Sequence, residues 1–268
     1  LSKYTMFNLI QNFLSDVLQT VVLRVSLIEI SAVKNLLIRI FIKNYEIEID
    51  DYPRRSHHEY KHFNDFFTRE INPNKRPIDD NDDGLISPVD GKIIEFGKIK
   101  EGHLLQIKNM KYKLNRLLDG NDELTEKYDN GSYISIYLAP YNYHRVHAPI
   151  EGILKQAIMV PGEMNRVDIN ALSNIENLYI KNQRLMTELK GSVFNCIMIM
   201  VAARNVASMT YENTNQNLKK GDEIGRFNLG STVVVLLPNN TQIDWDQRVS
   251  IENNLKMGEK IAQLSKIR

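Results

Sequence analysis

An aspartate, two histidines and a serine in this 268-residue sequence could together carry out nucleophilic catalysis. Asp90 lies in a turn that leads into an apolar run, and His144 and His147 share a segment bounded by prolines. Ser231 follows Gly230 just ahead of an aliphatic run. A serine hydroxyl is a weak nucleophile that needs a base, and imidazole is the usual proton carrier near neutral pH. Each residue also has an ordinary interpretation, as a turn aspartate, surface histidines and a turn serine.

Other kinds of site find little support in the sequence. The spacing of His144 and His147 suggests a metal site, but no glutamate lies between them and no cysteine cluster completes a ligand set. The single cysteine, Cys196, sits in an apolar run and is expected to be a buried hydrophobic residue. No glycine-rich phosphate loop, dinucleotide fingerprint or Gly-x-Ser-x-Gly elbow is present. A net charge of +1 gives no support to nucleic acid as a partner.

Two regions with different residue patterns would have to position these side chains. In the first fifty residues, apolar side chains recur at three- and four-residue spacing, which predicts amphipathic helices. After a connector, short aliphatic runs bounded by turn-forming residues predict strands at 92–96, 133–138, 193–201 and 232–237. Residues 111–130 and 165–182 have a more helical pattern. The predicted fold class is α+β, with N-terminal amphipathic helices followed by a mostly antiparallel, barrel- or sandwich-like β core.

The first predicted domain, residues 1–50, is expected to associate with a membrane. Its helix over residues 32–43 places Lys34, Arg39 and Lys43 beside an apolar stripe. Such a basic amphipathic helix can lie in the headgroup layer of an anionic bilayer, although packing on the protein core would explain the stripe as well. Charged residues interrupt its apolar run, so no transmembrane span is predicted, and no signal peptide is recognised. Residues 51–268 are the second predicted domain, a β-rich catalytic core.

Taken in order, several segments resemble the phosphatidylserine decarboxylase family. They are Phe63–Arg69, Ser87–Gly91, Tyr143–Pro149, Val160–Gly162, Asn182–Arg184, Lys220–Phe227 and Leu229–Thr232. Seven motifs in one order are far more specific than any single one, and the resemblance runs from about residue 45 to the end. The chain departs from the family pattern at Ala202-Ala203, where a pair containing glycine is expected, and at Asn165-Arg166, where bulkier apolar residues are usual.

This resemblance implies a chain that cleaves itself between Gly230 and Ser231. The products would be a β chain, residues 1–230, and an α chain, residues 231–268, which stay together non-covalently. Ser231 would become a pyruvoyl group, which is the electron sink and the Schiff-base site of the decarboxylation. No pyridoxal phosphate, metal or nucleotide is implied.

The family pattern also implies roles for individual side chains. Asp90, His147 and Ser231 would form the triad for self-cleavage, with Asp90 orienting the base, and His144 would transfer a proton during decarboxylation. The implied reaction converts phosphatidylserine to phosphatidylethanolamine and CO2 in phospholipid biosynthesis. We expect a peripheral membrane protein on the cytoplasmic face of a bacterial cell membrane, either as one αβ unit or as a dimer of such units.

Two other functions are compatible with the same residues. An ordinary serine hydrolase could use Asp90, His147 and Ser231 on an external ester and keep its backbone intact. A non-catalytic lipid-binding β domain could use these residues as turn formers. Only the self-cleaving chain would be recovered as two polypeptides.

Overall fold

The computed structural model describes residues 21–107, 110–203, 209–211, 216–228 and 231–267. Strands β1–β16 are, in order, Gly84–Ile86, Gly91–Lys98, His103–Ile107, Met110–Lys113, Ser132–Leu138, Arg145–His147, Gly152–Val160, Arg184–Lys190, Asn195–Ala202, Met209–Tyr211, Asn217–Leu218, Glu223–Phe227, Ser231–Leu237, Thr241–Trp245, Asn254–Leu255 and Lys260–Lys266. Helices α1–α6 are Ser31–Tyr45, Phe63–Phe67, Leu114–Leu117, Asp122–Tyr128, Ile169–Asn174 and Leu178–Lys181. Residues 21–26 are also helical. Short 3-10 turns lie at Ile49–Asp51, His57–Glu59 and Pro73–Lys75.

The central element is an antiparallel sheet of eight strands in the order β11-β7-β8-β9-β13-β5-β2-β15. Strand β13 lies between β9 and β5, and every one of its residues is buried, as its β-branched and aliphatic sequence predicts. Strands β11 and β15 are at opposite ends of the order, so the sheet is open rather than a closed barrel. The predicted α+β class with a mostly antiparallel core is confirmed, in its sandwich-like form.

Both faces of this sheet are covered. Side chains alternate along β13, so that Val233 and Val235 join one core and Val234 and Leu236 the other. The first core also contains side chains of the sheets β1-β16-β14 and β10-β12-β6. The second is closed by the β3-β4 hairpin and helices α3–α6. The first face is the one that matters for the site, because it carries Ser231 and packs against β6.

The N-terminal region packs on the core through only part of its surface. Ile38 of α1 is fully buried, whereas Leu36 and Ile40 are 51% and 48% exposed. Lys34, one of the three cations predicted to face a membrane, is buried and donates from Nζ to the Asn35 side chain and the His57 carbonyl. The first predicted helix, up to residue 20, lies outside the described residues. Among the helices that the structure describes, none is long and apolar enough to cross a bilayer.

Candidate active site

Ser231 is the first residue of β13, a strand in which every residue is buried. It pairs with Leu138 of β5 and Ala202 of β9, and its side chain is fully buried. By the alternation of the strand, Ser231 shares the face of Val233, which packs against β6 and β12. Its Oγ has no hydrogen-bond partner among the described residues. Gly230, the other side of the predicted cleavage bond, lies outside them.

His147 ends strand β6, which pairs with β12, so the sheet fixes its backbone. Its amide donates to the Pro88 carbonyl at 2.9 Å. Nδ1 lies 2.7 Å from the Gly221 carbonyl, and Nε2 lies 3.0 Å from the Tyr143 hydroxyl. A carbonyl can only accept, so Nδ1 carries the proton and Nε2 accepts the hydroxyl of Tyr143. This tautomer leaves the lone pair of the base on Nε2.

Burial is the main cause that lowers the pKa of His147, to about 4. The Gly221 carbonyl opposes this effect, the charge of Arg145 adds to it, and Asp90 opposes it as a nearby anion. At neutral pH, His147 is therefore an uncharged imidazole, which is the state that a proton acceptor requires, with its basic Nε2 bound to the Tyr143 hydroxyl.

Asp90 is held by residues that the sequence analysis did not identify. Arg76 donates from Nε to Oδ1 at 2.9 Å and from Nη2 to Oδ2, and the amide of Met257 donates to Oδ1 at 2.8 Å. Both side chains of the Arg76–Asp90 ion pair are less than a tenth exposed. In the part of the chain that the structure describes, no hydrogen bond joins Asp90 to His147, because Nδ1 is bound to Gly221. The predicted orientation of His147 by Asp90 stays a prediction.

Segment Arg76–Asp79 contacts Asp90 directly and, through Gly221, the backbone that binds His147. Arg76 binds Asp90, and Ile78 lies against Gly221, whose carbonyl accepts from His147. Gly221 has a φ of +85°, and a Cβ there would come within 2.7 Å of Ile78. The positive φ favours glycine, and any other side chain there would also crowd Ile78, so the acceptor for His147 lies in backbone that packs against this segment.

His144 is also buried, and its ring stacks on Phe67 with centroids 4.1 Å apart. Nε2 lies 3.4 Å from the Pro140 carbonyl, whereas the buried Nδ1 has no partner among the described residues. Burial, and next the charge of Arg69, lower the pKa of His144 to about 3. The structure thus contains two neutral buried imidazoles, of which one has a nitrogen without a partner in the described part of the chain.

The structure brings no metal-binding group together in the described residues. No cluster of three or more histidine, cysteine, aspartate or glutamate side chains there could hold an ion. Cys196 is buried, as its apolar surroundings predicted. Of the side chains that the sequence analysis missed, Tyr143 had a signal, because it precedes His147 by four residues in the same rigid turn. Arg76 had none, since its partner lies fourteen residues away across a loop.

Comparison with known proteins identifies the family. The family model described as phosphatidylserine decarboxylase matches residues 63–263. The phosphatidylserine decarboxylase proenzyme of Psychrobacter cryohalolentis is 37% identical over 241 residues, which are 85% of this chain and 87% of that protein. The proenzyme of Haemophilus ducreyi is 35% identical over 87% of this chain and 86% of its own length. The proenzyme of Psychromonas ingrahamii is 35% identical over 87% of this chain and 88% of its own length. This chain belongs to the phosphatidylserine decarboxylase family.

Proposed function

We propose that this chain is a proenzyme that cleaves itself between Gly230 and Ser231 and then decarboxylates phosphatidylserine to phosphatidylethanolamine. The observation that carries the proposal is Ser231 itself. A serine hydroxyl that is fully buried at the start of a central strand, with no partner among the described residues, is costly unless it is used. The neutral His147, on strand β6 whose Val146 packs in the same core, is the proposed base, and no described hydrogen bond joins it to Ser231.

Self-cleavage uses the chain's own groups. The Ser231 hydroxyl gives its proton to Nε2 of His147, and Oγ attacks the Gly230 carbonyl, so that the amide becomes an ester and the freed nitrogen takes up the proton. Loss of the proton from Cα of residue 231 then breaks the Cβ–Oγ bond and releases Gly230 as a carboxylate. Addition of water to the remaining dehydroalanine releases ammonia and leaves the ketone. Because Tyr143 occupies Nε2, its hydroxyl must relay the proton or move aside.

The surroundings of Ser231 suit a pyruvoyl group. Oγ has no described partner, so its loss leaves no donor or acceptor newly unpaired. Leu138 and Ala202 flank the position across the ladder, and both are buried. When formed, the pyruvoyl ketone supplies the electron sink that decarboxylation needs. Asp90 contributes a negative charge near His147, and Arg76 holds the Asp90 carboxylate in place.

His144 is the proposed proton carrier of the second reaction. Its unpaired Nδ1 can take a proton and return it to the carbon that loses CO2. A pKa of about 3 is low for this task. A substrate carboxylate beside the ring would raise the pKa of His144, because an opposite charge favours the protonated form. Charging of this imidazole would thus depend on the presence of substrate.

The arrangement of strands supports a non-covalent αβ unit. The α chain, residues 231–268, contributes β13, which pairs with β5 and β9 of the β chain along its whole length. Strand β16 of the α chain also pairs with β1, and the amide of Met257 binds Asp90. These contacts would hold the chains together after the cut. A dimer of such units remains a prediction.

The membrane role, which includes placement on the cytoplasmic face of a bacterial membrane, belongs to the same proposal. Its support is helix α1, where Leu36 and Ile40 are half exposed beside the exposed Arg39 and Lys43. Exposed apolar side chains next to cations suit the headgroup layer of an anionic bilayer.

Intact mass and CO2 release test the proposal together. The purified wild-type chain should separate into two polypeptides on a denaturing gel and should release CO2 from phosphatidylserine in detergent micelles. Ser231→Ala should stay a single 31.1 kDa chain without activity. A wild-type chain that remains whole after prolonged incubation would disprove self-cleavage, and a cut chain that releases no CO2 would disprove the assigned reaction.

A further inference from the structure

Arg69 is a buried cation with no acidic partner among the described residues. It is 1% exposed. Nη1 donates to the Phe66 carbonyl, and Nη2 donates to the Tyr52 hydroxyl at 2.9 Å and to the Tyr141 carbonyl at 3.3 Å. The guanidinium lies 4.2 Å from the ring centre of Tyr52, and Nε has no described partner. Burying a charge in neutral surroundings is costly, so its position requires an explanation.

Arg69 and the two residues before it hold the turn that carries His144. Phe67 stacks on the His144 ring with an angle of 24° between the planes. The carbonyl of Thr68 accepts from Nε of Arg145 at 2.9 Å, and Arg69 binds the carbonyl of Tyr141. We call Phe67, Thr68 and Arg69 the clamp. Its three contacts fall on positions 141, 144 and 145, so both sides of His144 are held.

We propose that Arg69 is the positioning residue for His144 in decarboxylation, a role that rests on the proposed function. The clamp fixes the plane of the imidazole through Phe67 and the path of its turn through Arg69. A proton carrier must be placed to within a fraction of an ångström, because small misplacements cost large factors in rate. The clamp makes no hydrogen bond, ion pair or ring contact with Asp90, His147 or Ser231 in the described structure, so self-cleavage should not depend on it.

Charge gives Arg69 a second effect on His144. Burial is the larger cause of the low pKa of His144, and the positive charge of Arg69 is the next. From the turn of His144 itself, the carbonyls of Ala139 and Pro140 oppose this shift. From β12, the amide of Phe227 donates to the His144 carbonyl. Removing the cation should therefore raise the pKa of His144. Because the protonated imidazole returns the proton to carbon, the pH above which kcat falls should then move upward.

Four variants test the role: Arg69→Met, Arg69→Lys, Phe67→Leu and the control Arg54→Met. Arg54 also lies over a tyrosine ring, that of Tyr60, and pairs with Asp65 of α2, but it makes no contact with the clamp in the described structure. The fraction cut is read from a gel. For the cut enzyme, kcat, KM and the pH profile of kcat are measured on phosphatidylserine in detergent micelles.

We expect Arg69→Met to be cut like the wild type, with kcat about 10- to 100-fold lower and KM little changed. The alkaline limb of its kcat profile should move to higher pH. Arg69→Lys should keep the alkaline limb of the wild-type kcat profile and have an intermediate kcat. Phe67→Leu should have a lower kcat with its alkaline limb unchanged. Arg54→Met should match the wild type.

Several results would overturn the proposal. A cut Arg69→Met enzyme with wild-type kcat would do so, and so would a lowered kcat with an unmoved alkaline limb, which a merely structural role predicts. If Arg69→Met stays uncut, the Phe67→Leu variant decides. A Phe67→Leu enzyme that is cut and has a lowered kcat supports the positioning role of the clamp. A Phe67→Leu enzyme that is fully active, or that stays uncut, rejects it. A wild-type enzyme without CO2 release would instead reject the proposed function.

Discussion

Replacing Arg76 by methionine should strongly destabilise the protein, because it leaves the carboxylate of Asp90 buried without its counter-ion. Arg76 and Asp90 are 6% and 8% exposed, and two guanidinium nitrogens contact the carboxylate. After the change, the amide of Met257 is the remaining described donor to Asp90. Removing one partner of a buried ion pair typically costs about 3–5 kcal/mol, and methionine keeps most of the side-chain volume. We expect a loss of that size in the free energy of unfolding.

Urea unfolding at pH 7.5 measures this loss, with Ser231→Ala as the background so that cleavage does not alter the chain. Arg248→Met is the matched control, since its pair with Asp246 has the arginine side chain 60% exposed. An exposed pair should cost less than about 1 kcal/mol. If Arg76→Met unfolds within about 1 kcal/mol of the Ser231→Ala parent, the pair is not desolvated and the reasoning is wrong.

Removing both charges gives an independent check. The double variant Arg76→Met/Asp90→Asn carries no unpaired buried charge, and asparagine can still accept from the Met257 amide. It should therefore be more stable than Arg76→Met alone. Equal or greater destabilisation would show that Arg76 stabilises the fold by packing instead of by holding Asp90.

Four further outcomes are expected. Asp90→Asn and His147→Ala should stay uncut on gels, because the serine would lack its base, and wild-type cutting in either would remove that residue from the triad. His144→Ala should be cut but release CO2 about 10²- to 10⁴-fold more slowly, and full activity would contradict its role. Burial lowers the pKa of His144 to about 3 and that of His147 to about 4. Between these values and about 6.5, the unfolded chain therefore binds more protons than the folded chain. Stability to urea should thus fall by about 1 kcal/mol per histidine from pH 7 to 5.5, and equal stability at both values would refute this. The double variant Leu36→Asn/Ile40→Asn should sediment less with anionic vesicles and cleave itself at the same rate. The control Ile251→Asn, at an equally exposed position elsewhere, should change neither property. Unaltered vesicle binding in the double variant would argue against α1 as the membrane contact.

The sequence predicted the elements whose patterns are local. The buried runs that became β2, β5, β9 and β13 were placed to within about two residues, because continuous aliphatic residues between turn formers are typical of covered strands. Strand β7 was missed. Lys155 and Gln156 interrupt its apolar residues, and Ile158 and Met159 are exposed, so it shows neither a continuous covered run nor a regular alternation.

The site residues also divide into those that a local sequence pattern predicted and those that depend on the whole fold. Ser231 and the two histidines lie in recognisable sequence segments. The acceptor for His147 is the backbone carbonyl of Gly221, and a backbone acceptor cannot be predicted from residue type. The partner of Asp90 comes from a connector whose path depends on the whole fold. The burial of Lys34 was equally hidden, since a cation at that helix position usually faces solvent and here reaches the His57 carbonyl.

The place of β13 between β5 and β9 has a consequence for the lifetime of the cut enzyme. A 38-residue fragment that supplies an interior strand cannot leave without breaking two ladders and opening both cores. We therefore expect the fragments not to exchange between molecules, although no bond joins them. Once unfolded, the precursor can refold as one chain, whereas the mature enzyme must reassemble from two at a rate that depends on concentration. Self-cleavage would thus make durability a matter of the unfolding barrier rather than of equilibrium stability.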